Sequence, residues 1–462
     1  MYRIDHYTFS RFCDIQENLI MRKVTITLLA LLLTVLGASS AFAQGSVSYA
    51  VGVQIKNLDN SNAANVTVTY YNQSDGSQAG ALTQGIPAGD SFTMATLAGV
   101  STGFNGSAVV SSDRQIAAIA NVIGNGTMGA SYNAFSAGDT SASLPLLMRN
   151  NFGFNTWFNV QNAGTGSANV TINYSNGSSE TATIAAGAAK TFDQAGNSAL
   201  GATFVGSANV TSNQPIAVTV LQQGATTLLG YDGFRSSDAS TNPVMPLINT
   251  NNFGFITGAQ IQNTGTQSTD VTVSYKANAG SGSDCTETQT IAAGSSATFA
   301  LGAFGDTSGS NENCANGATF VGSASVTSNS ANQPLVAIVN QLNIGANYGA
   351  AYNGFNPANG TSTVVMPLIM DRNFGFFTGF SVVNVGNSSA NISCAYTNSS
   401  VTSSATVAPG SALTVSNSGL LSDGYVGAAT CTAAGGSLVG IVNELQAGAS
   451  TDFFLVYEGT NQ

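Results

Sequence analysis

Only 7% of the 462 residues are charged, and they leave a net charge of −11. No Lys/Arg cluster exists to line a nucleic-acid groove or meet an anionic membrane, so neither partner is expected. The lone histidine, His6, lies in the first segment, so the rest of the chain has no imidazole for a Ser-His or Cys-His pair or a common zinc site.

Residues 1–20 are polar and mixed in charge and read as an over-called extension. Met21-Arg22-Lys23, the apolar run Val24–Leu36 and the box ending Ala41-Phe42-Ala43 read as a secretory signal over 21–43, cleaved before Gln44. The run is too short to cross a bilayer comfortably, so no membrane span is expected in the mature chain. Beyond residue 43 there are seven basic and nineteen acidic residues. The acids are scattered singly, which argues against a carboxylate-pair enzyme. No catalytic residue, cofactor or metal site is expected, and the mature chain is expected to be secreted.

Four copies of one unit follow. Asn57, Asn162, Asn263 and Asn384 each end an alternating run, at intervals of 105, 101 and 121 residues. After each comes an alternating strand ending at Tyr70, Tyr174, Tyr275 or Tyr396, then an "IPAG", "IAAG" or "VAPG" turn. A "VGSA"-type strand, an apolar strand and a closing "YNAF", "YDGF", "YNGF" or "YEGT" complete the unit. In the second of these strands Val170, Ile172 and Tyr174 share one face and Asn169, Thr171 and Asn173 the other, the period of a half-buried strand. About seven such strands in about 100 residues predict an all-β fold: four tandem immunoglobulin-like antiparallel sandwiches arranged as a rod. A closed barrel is the alternative. The expected units are 44–144, 145–245, 246–366 and 367–462.

The cysteines fit an oxidising compartment. Cys394 and Cys431 replace core apolar residues of the other units, which predicts a bridge across the core between sheets. The same alignment predicts that Ile172 touches Val210. Cys285 and Cys314 fall in the two long loops of unit 3, which predicts a bridge between loops.

The "QNxG…ANVTVxY" opening (Gln161–Gly164, Ala168–Tyr174) and the "GSAxVTSxQPIA" strand pair (Gly206–Ala217) resemble the tandem Ig-like, CARDB-like repeats of bacterial cell-surface proteins. The likeness runs through residues 46–459. It implies a surface location and a structural or adhesive role without naming a ligand. No sorting motif or hydrophobic tail accompanies it, so covalent wall attachment is not expected.

Three features remain as candidate sites. Trp157, the only tryptophan, stands where other units have Gly52, Gly258 and Gly379; it reads either as a sugar or protein contact or as cover for a neighbouring linker. Sequons at Asn65, Asn169, Asn209 and Asn391 read either as glycosylation sites or as chance matches on Asn/Thr-rich polar faces, and Asp59, Asp75, Asp232 and Asp371 near turns read as calcium ligands between units, though no dense Asp-x-Asp-x-Asp loop occurs. Finally, "NNFGF" at 150–154 and 251–255, and "RNFGF" at 372–376, follow "PL" at each junction. They are expected to open each new unit's first strand, with Phe152 and Phe154 on one side closing a core and Gly153 at a close approach. "SVSY" (Ser46–Tyr49) is the expected counterpart in unit 1. There are three such segments for four units: if each is a strand belonging to one side, one terminal unit lacks it and its open edge suggests head-to-tail self-association, whereas the alternative is that each segment packs between neighbours and the terminal units cap themselves. A cell-surface glycan is the other expected partner.

Overall fold

A computed structural model describes residues 29–35 (backbone only), 47–301, 314, 317–446, 448 and 451–462. The described chain is all β, apart from three-residue 3-10 turns. Unit 3 shows the plan. Its eight strands run Val244–Thr250, Phe255–Asn263, Thr269–Ala277, Cys285–Ile291, Ser296–Phe299, Phe320–Ser328, Leu335–Asn343 and Tyr348–Asn353. The first, sixth, third and fourth form one antiparallel sheet; the fifth, second, seventh and eighth form the facing one. Apolar residues alternate inward, as in Val271, Val273 and Tyr275 of the third strand, and fill the space between the sheets. In unit 2 the sixth and seventh strands run on as Phe204–Gln223 and join both sheets.

The first strand, holding the "PL" pair, pairs with the sixth strand of the unit that follows it. Units therefore begin at Asp139, Val244 and Thr363, a few residues before the expected boundaries at 145, 246 and 367, which cut through these strands. The proline has no N–H to give the ladder, and the register slips there, as between Met245 and Ile248. The buried hydroxyl of the closing "Y" motif heals the slip. Tyr352 Oη donates to Leu247 O at 2.6 Å and accepts from Leu247 N at 3.2 Å. Tyr231 does the same for Leu146, and Tyr457 for Leu368. In unit 1 this slot is filled by Leu29–Val35, part of the run read as a signal segment. The remainder of 1–43 lies outside the described residues.

The Asn that aligns the repeats is a buried staple. Asn162 Nδ2 donates to Gly166 O and Ile184 O, and its Oδ1 accepts Gly164 N–H. Asn263 and Asn384 repeat this pattern. Removing the amide would orphan buried backbone groups at three points.

Both expected disulfides are present. The placement of Cys394–Cys431 needs correction. The two cysteines lie directly opposite on neighbouring strands of one sheet, so the bridge does not cross between sheets. Ile172 and Val210 are cross-strand partners in the same way. Both residues of each pair were read correctly as inward, but two inward residues can be neighbours on a sheet as well as facing one another. Cys285 opens unit 3's fourth strand and holds Cys314 of the long connection.

The units do not form a rod. Each core takes in side chains of the next unit: Leu221 and Leu228 enter unit 1, Val336 and Ile338 enter unit 2, and Ile441 and Phe454 enter unit 3. Ile119 of unit 1 then enters the core of unit 4. The array closes on itself as a ring with pseudo-fourfold order, and the eighth strands pack around its axis. The alternation pattern exposes each unit's inward face but not the apolar edge residues that a neighbour covers, which is why the sequence alone predicts a rod.

Candidate functional site: the axis, the junctions and the aromatic rim

At the axis, the residue after each closing Tyr makes a cycle. Asn133 N–H donates to Asp232 Oδ2, Asp232 N–H to Asn353 Oδ1, Asn353 N–H to Glu458 Oε1, and Glu458 N–H to Asn133 Oδ1. The two Asn also return a bond, Asn133 Nδ2 to Glu458 O and Asn353 Nδ2 to Asp232 O. Asp232 has no amide to do this, and its buried Oδ1 has no hydrogen-bond partner among the described residues. Burial, then the neighbouring Glu458 charge, drive the Asp232 carboxyl well above its usual range; burial pushes Glu458 up to about 7. Neutral carboxyls of this kind can donate as Asn does. Both acids accept backbone N–H groups at the axis.

A second polar layer spans the junctions. Gln222 and Asn340 bond reciprocally between units 2 and 3, and Gln341 and Asn443 between units 3 and 4. Between units 4 and 1 the pair is Glu444 with Asn121, and burial lifts Glu444 to about 8. Asp452, lifted by burial to about 7, accepts N–H groups from Leu228 and Gly349. Further out, Ser107, Ser207 and Ser323 donate to Gly187, Gly294 and Gly410 O of the next unit's "AG" or "PG" turn. The repeated "GSA" and "AAG" strings are therefore junction contacts.

The "NFGF" segments depart most from expectation. Asn151 and Phe154 exchange backbone hydrogen bonds at 3.0 and 2.8 Å, so the stretch is a two-residue hairpin with Phe152 (φ 47°) and Gly153 (φ 83°) at its tip. Both central residues are left-handed, as a type I′ turn demands. Phe152 therefore points away from Phe154 and is 96% exposed; Phe253 and Phe374 are 93% and 89% exposed. The period-of-two reading failed because these residues form a turn and not a strand. Gly153 supplies the positive φ, with no neighbour close to where its Cβ would lie. Asn343 Nδ2 and Gln446 Nε2 hold the carbonyls of Phe253 and Phe374 at 3.0 Å, fixing the strained tips. A bulky residue at positive φ is costly and usually avoided, so three copies mark a functional candidate.

The other candidates resolve into structure. Trp157 is half-buried, packs on unit 1's core and lies 5.7 Å from the Tyr49 ring, so it covers a junction and offers no open platform. Asn209 is tied to Ser143 and Gln262, whereas Asn65, Asn169 and Asn391 are exposed. Asp59 caps Ser61 and Asn62, Asp75 caps Ser77, and Asp371 accepts Gly419 and Leu421 N–H. Among the described residues, no three His, Cys, Asp or Glu side chains gather as metal ligands, and no helix is long and apolar enough to cross a membrane.

No known family's sequence profile matches the chain, and no curated protein matches it at a significant level.

Proposed function

We propose that the chain is a non-catalytic extracellular structural protein that meets an uncharged apolar surface through its aromatic rim. The carrying observation is the set of three hairpin tips, Phe152, Phe253 and Phe374, each at positive φ and almost wholly exposed. In a closed rotational array, equivalent residues lie at one height along the axis, so the tips share a rim. Exposed Phe side chains lose water-contacting apolar area on docking, about 1.5–3 kcal/mol each. Two disulfides and a weakly charged surface support an extracellular setting. The test is co-sedimentation with phosphatidylcholine vesicles. Binding by the wild type and its loss in a Phe152→Ser/Phe253→Ser/Phe374→Ser variant support the reading; no wild-type binding overturns it. The adhesin reading shares this rim, but the half-buried Trp157 no longer favours a glycan.

A second reading, self-association, has its own observation. Leu29–Val35 occupies the edge of the Gly106–Ser112 strand that the other units fill with their "PL" strands. If the signal segment is cleaved, that edge opens to strand addition from another copy. Light scattering on chains starting at Gln44 tests this: a strict monomer at high concentration excludes it.

A further inference from the structure

The four junctions follow one plan, and one of them lacks its plug. In the register between second and seventh strands, Gly52 faces Asn121, Trp157 faces Leu221, Gly258 faces Asn340 and Gly379 faces Asn443. Between units 1 and 2, Trp157 packs beside Tyr49, whose hydroxyl donates to Gln223 at 2.7 Å. Between units 3 and 4, Phe454 covers Phe255 at 5.3 Å; within unit 4, Phe453 covers Phe376, the counterpart of Phe255, at 5.9 Å. Between units 2 and 3 the corresponding residues are Phe154, Gly258 and Leu342. They line an open cleft of about 880 Å³.

We infer that this cleft is a binding site for an uncharged, flat aromatic molecule of indole size or somewhat larger. Internal symmetry identifies the occupant, because the same niche one junction earlier is filled by an indole ring. The lining chemistry agrees: Met148, Phe154 and Leu229 form apolar walls, and no lining residue carries a charge. Gln222 and Asn340 spend their amides on each other across the cleft wall, so they demand no charged ligand. The volume lies in the range of small-molecule sites, whose walls are mostly apolar. Met sulfur and Phe faces both favour aromatic rings. The rim tip Phe152 borders the cleft, but the inference rests on Met148, Phe154, Leu229 and Gly258 and not on docking by the rim or on self-association.

Isothermal titration of the full chain with indole tests it. Saturable binding at one site per chain is expected. Gly258→Trp, which copies the filled junction, should weaken it at least tenfold and leave the circular dichroism spectrum unchanged. Leu342→Gln, which copies Gln223, should weaken it as well and carries the decision if Gly258→Trp does not fold. Absence of saturable binding, or wild-type affinity in the folded variants, overturns the inference.

Discussion

At the residue scale, the ring has copied one solution four times and left differences that act as built-in mutants. Glu444 occupies the slot of Gln222 and Gln341, yet it is buried and its Oε1 has no hydrogen-bond partner among the described residues. Glu444, Asp452 and Glu458 keep their protons in the fold to about pH 7–8, whereas an unfolded chain releases them near pH 4. Folding thus takes up protons across that window, and stability falls as pH rises through it. Asp59, Asp75 and Asp113 act oppositely: N–H donors from Ser61, Ser77 and Asn65 hold them low, and their contribution is lost as pH falls through their lowered values. The melting temperature should therefore peak near pH 4–5 and decline toward pH 8. Glu444→Gln should raise stability at pH 8 by roughly 1–3 kcal/mol and change little at pH 5, read by melting curves across pH. The rim gives a second case. Phe152→Asn places the residue type that a type I′ turn prefers, and should stabilise by about 0.5–1 kcal/mol while weakening vesicle binding. A gain in stability paired with a loss of binding would mark Phe152 as kept for contact and not for folding.

At the element scale, much was legible because repetition averages out noise. Strands with inward Val, Ile and Tyr, the stapling Asn and the cysteine pairs all stood out from one alignment of four units. Pairing partners did not, because alternation says which face a residue takes and not which strand lies beside it. The same limit hid the hairpin: Phe152 reads as core by composition, and only the left-handed backbone of the two-residue turn puts it outward. The junction acids were equally hidden, since Asp232 and Glu458 look like surface turn residues until the ring closes on them. The disulfide within the sheet offers a test of the repeat logic. Units 1 and 3 carry Val at both slots, Val68 with Val110 and Val273 with Val326. A Cys394→Val/Cys431→Val variant should therefore keep the native circular dichroism spectrum. It should lose about 3–4 kcal/mol, the loop-closure value for a bridge of this span, as measured by urea unfolding.

At the scale of the whole molecule, closure is the property that most separates this chain from a string of domains. A closed array of 462 residues should have a radius of gyration of about 22–23 Å, whereas a rod of four sandwiches would approach about 40 Å. Small-angle scattering distinguishes the two. The axis cycle makes closure conditional on protonation in a designed variant. Asn133 bridges unit 4 to unit 1 by accepting Glu458 N–H and donating to Glu458 O. Asn133→Asp removes the donor whenever the new carboxyl is ionised, and sets a third acid beside Asp232 and Glu458. At pH 4 the carboxyl is largely neutral and can donate in place of the amide, so the variant should match wild type closely. At pH 8 it should lose roughly 2–4 kcal/mol, from an orphaned buried carbonyl and like-charge repulsion. The scattering radius should rise toward the open-array value only under that alkaline condition. A variant equally stable at both pH values would show that the junction between units 4 and 1 does not bear on closure.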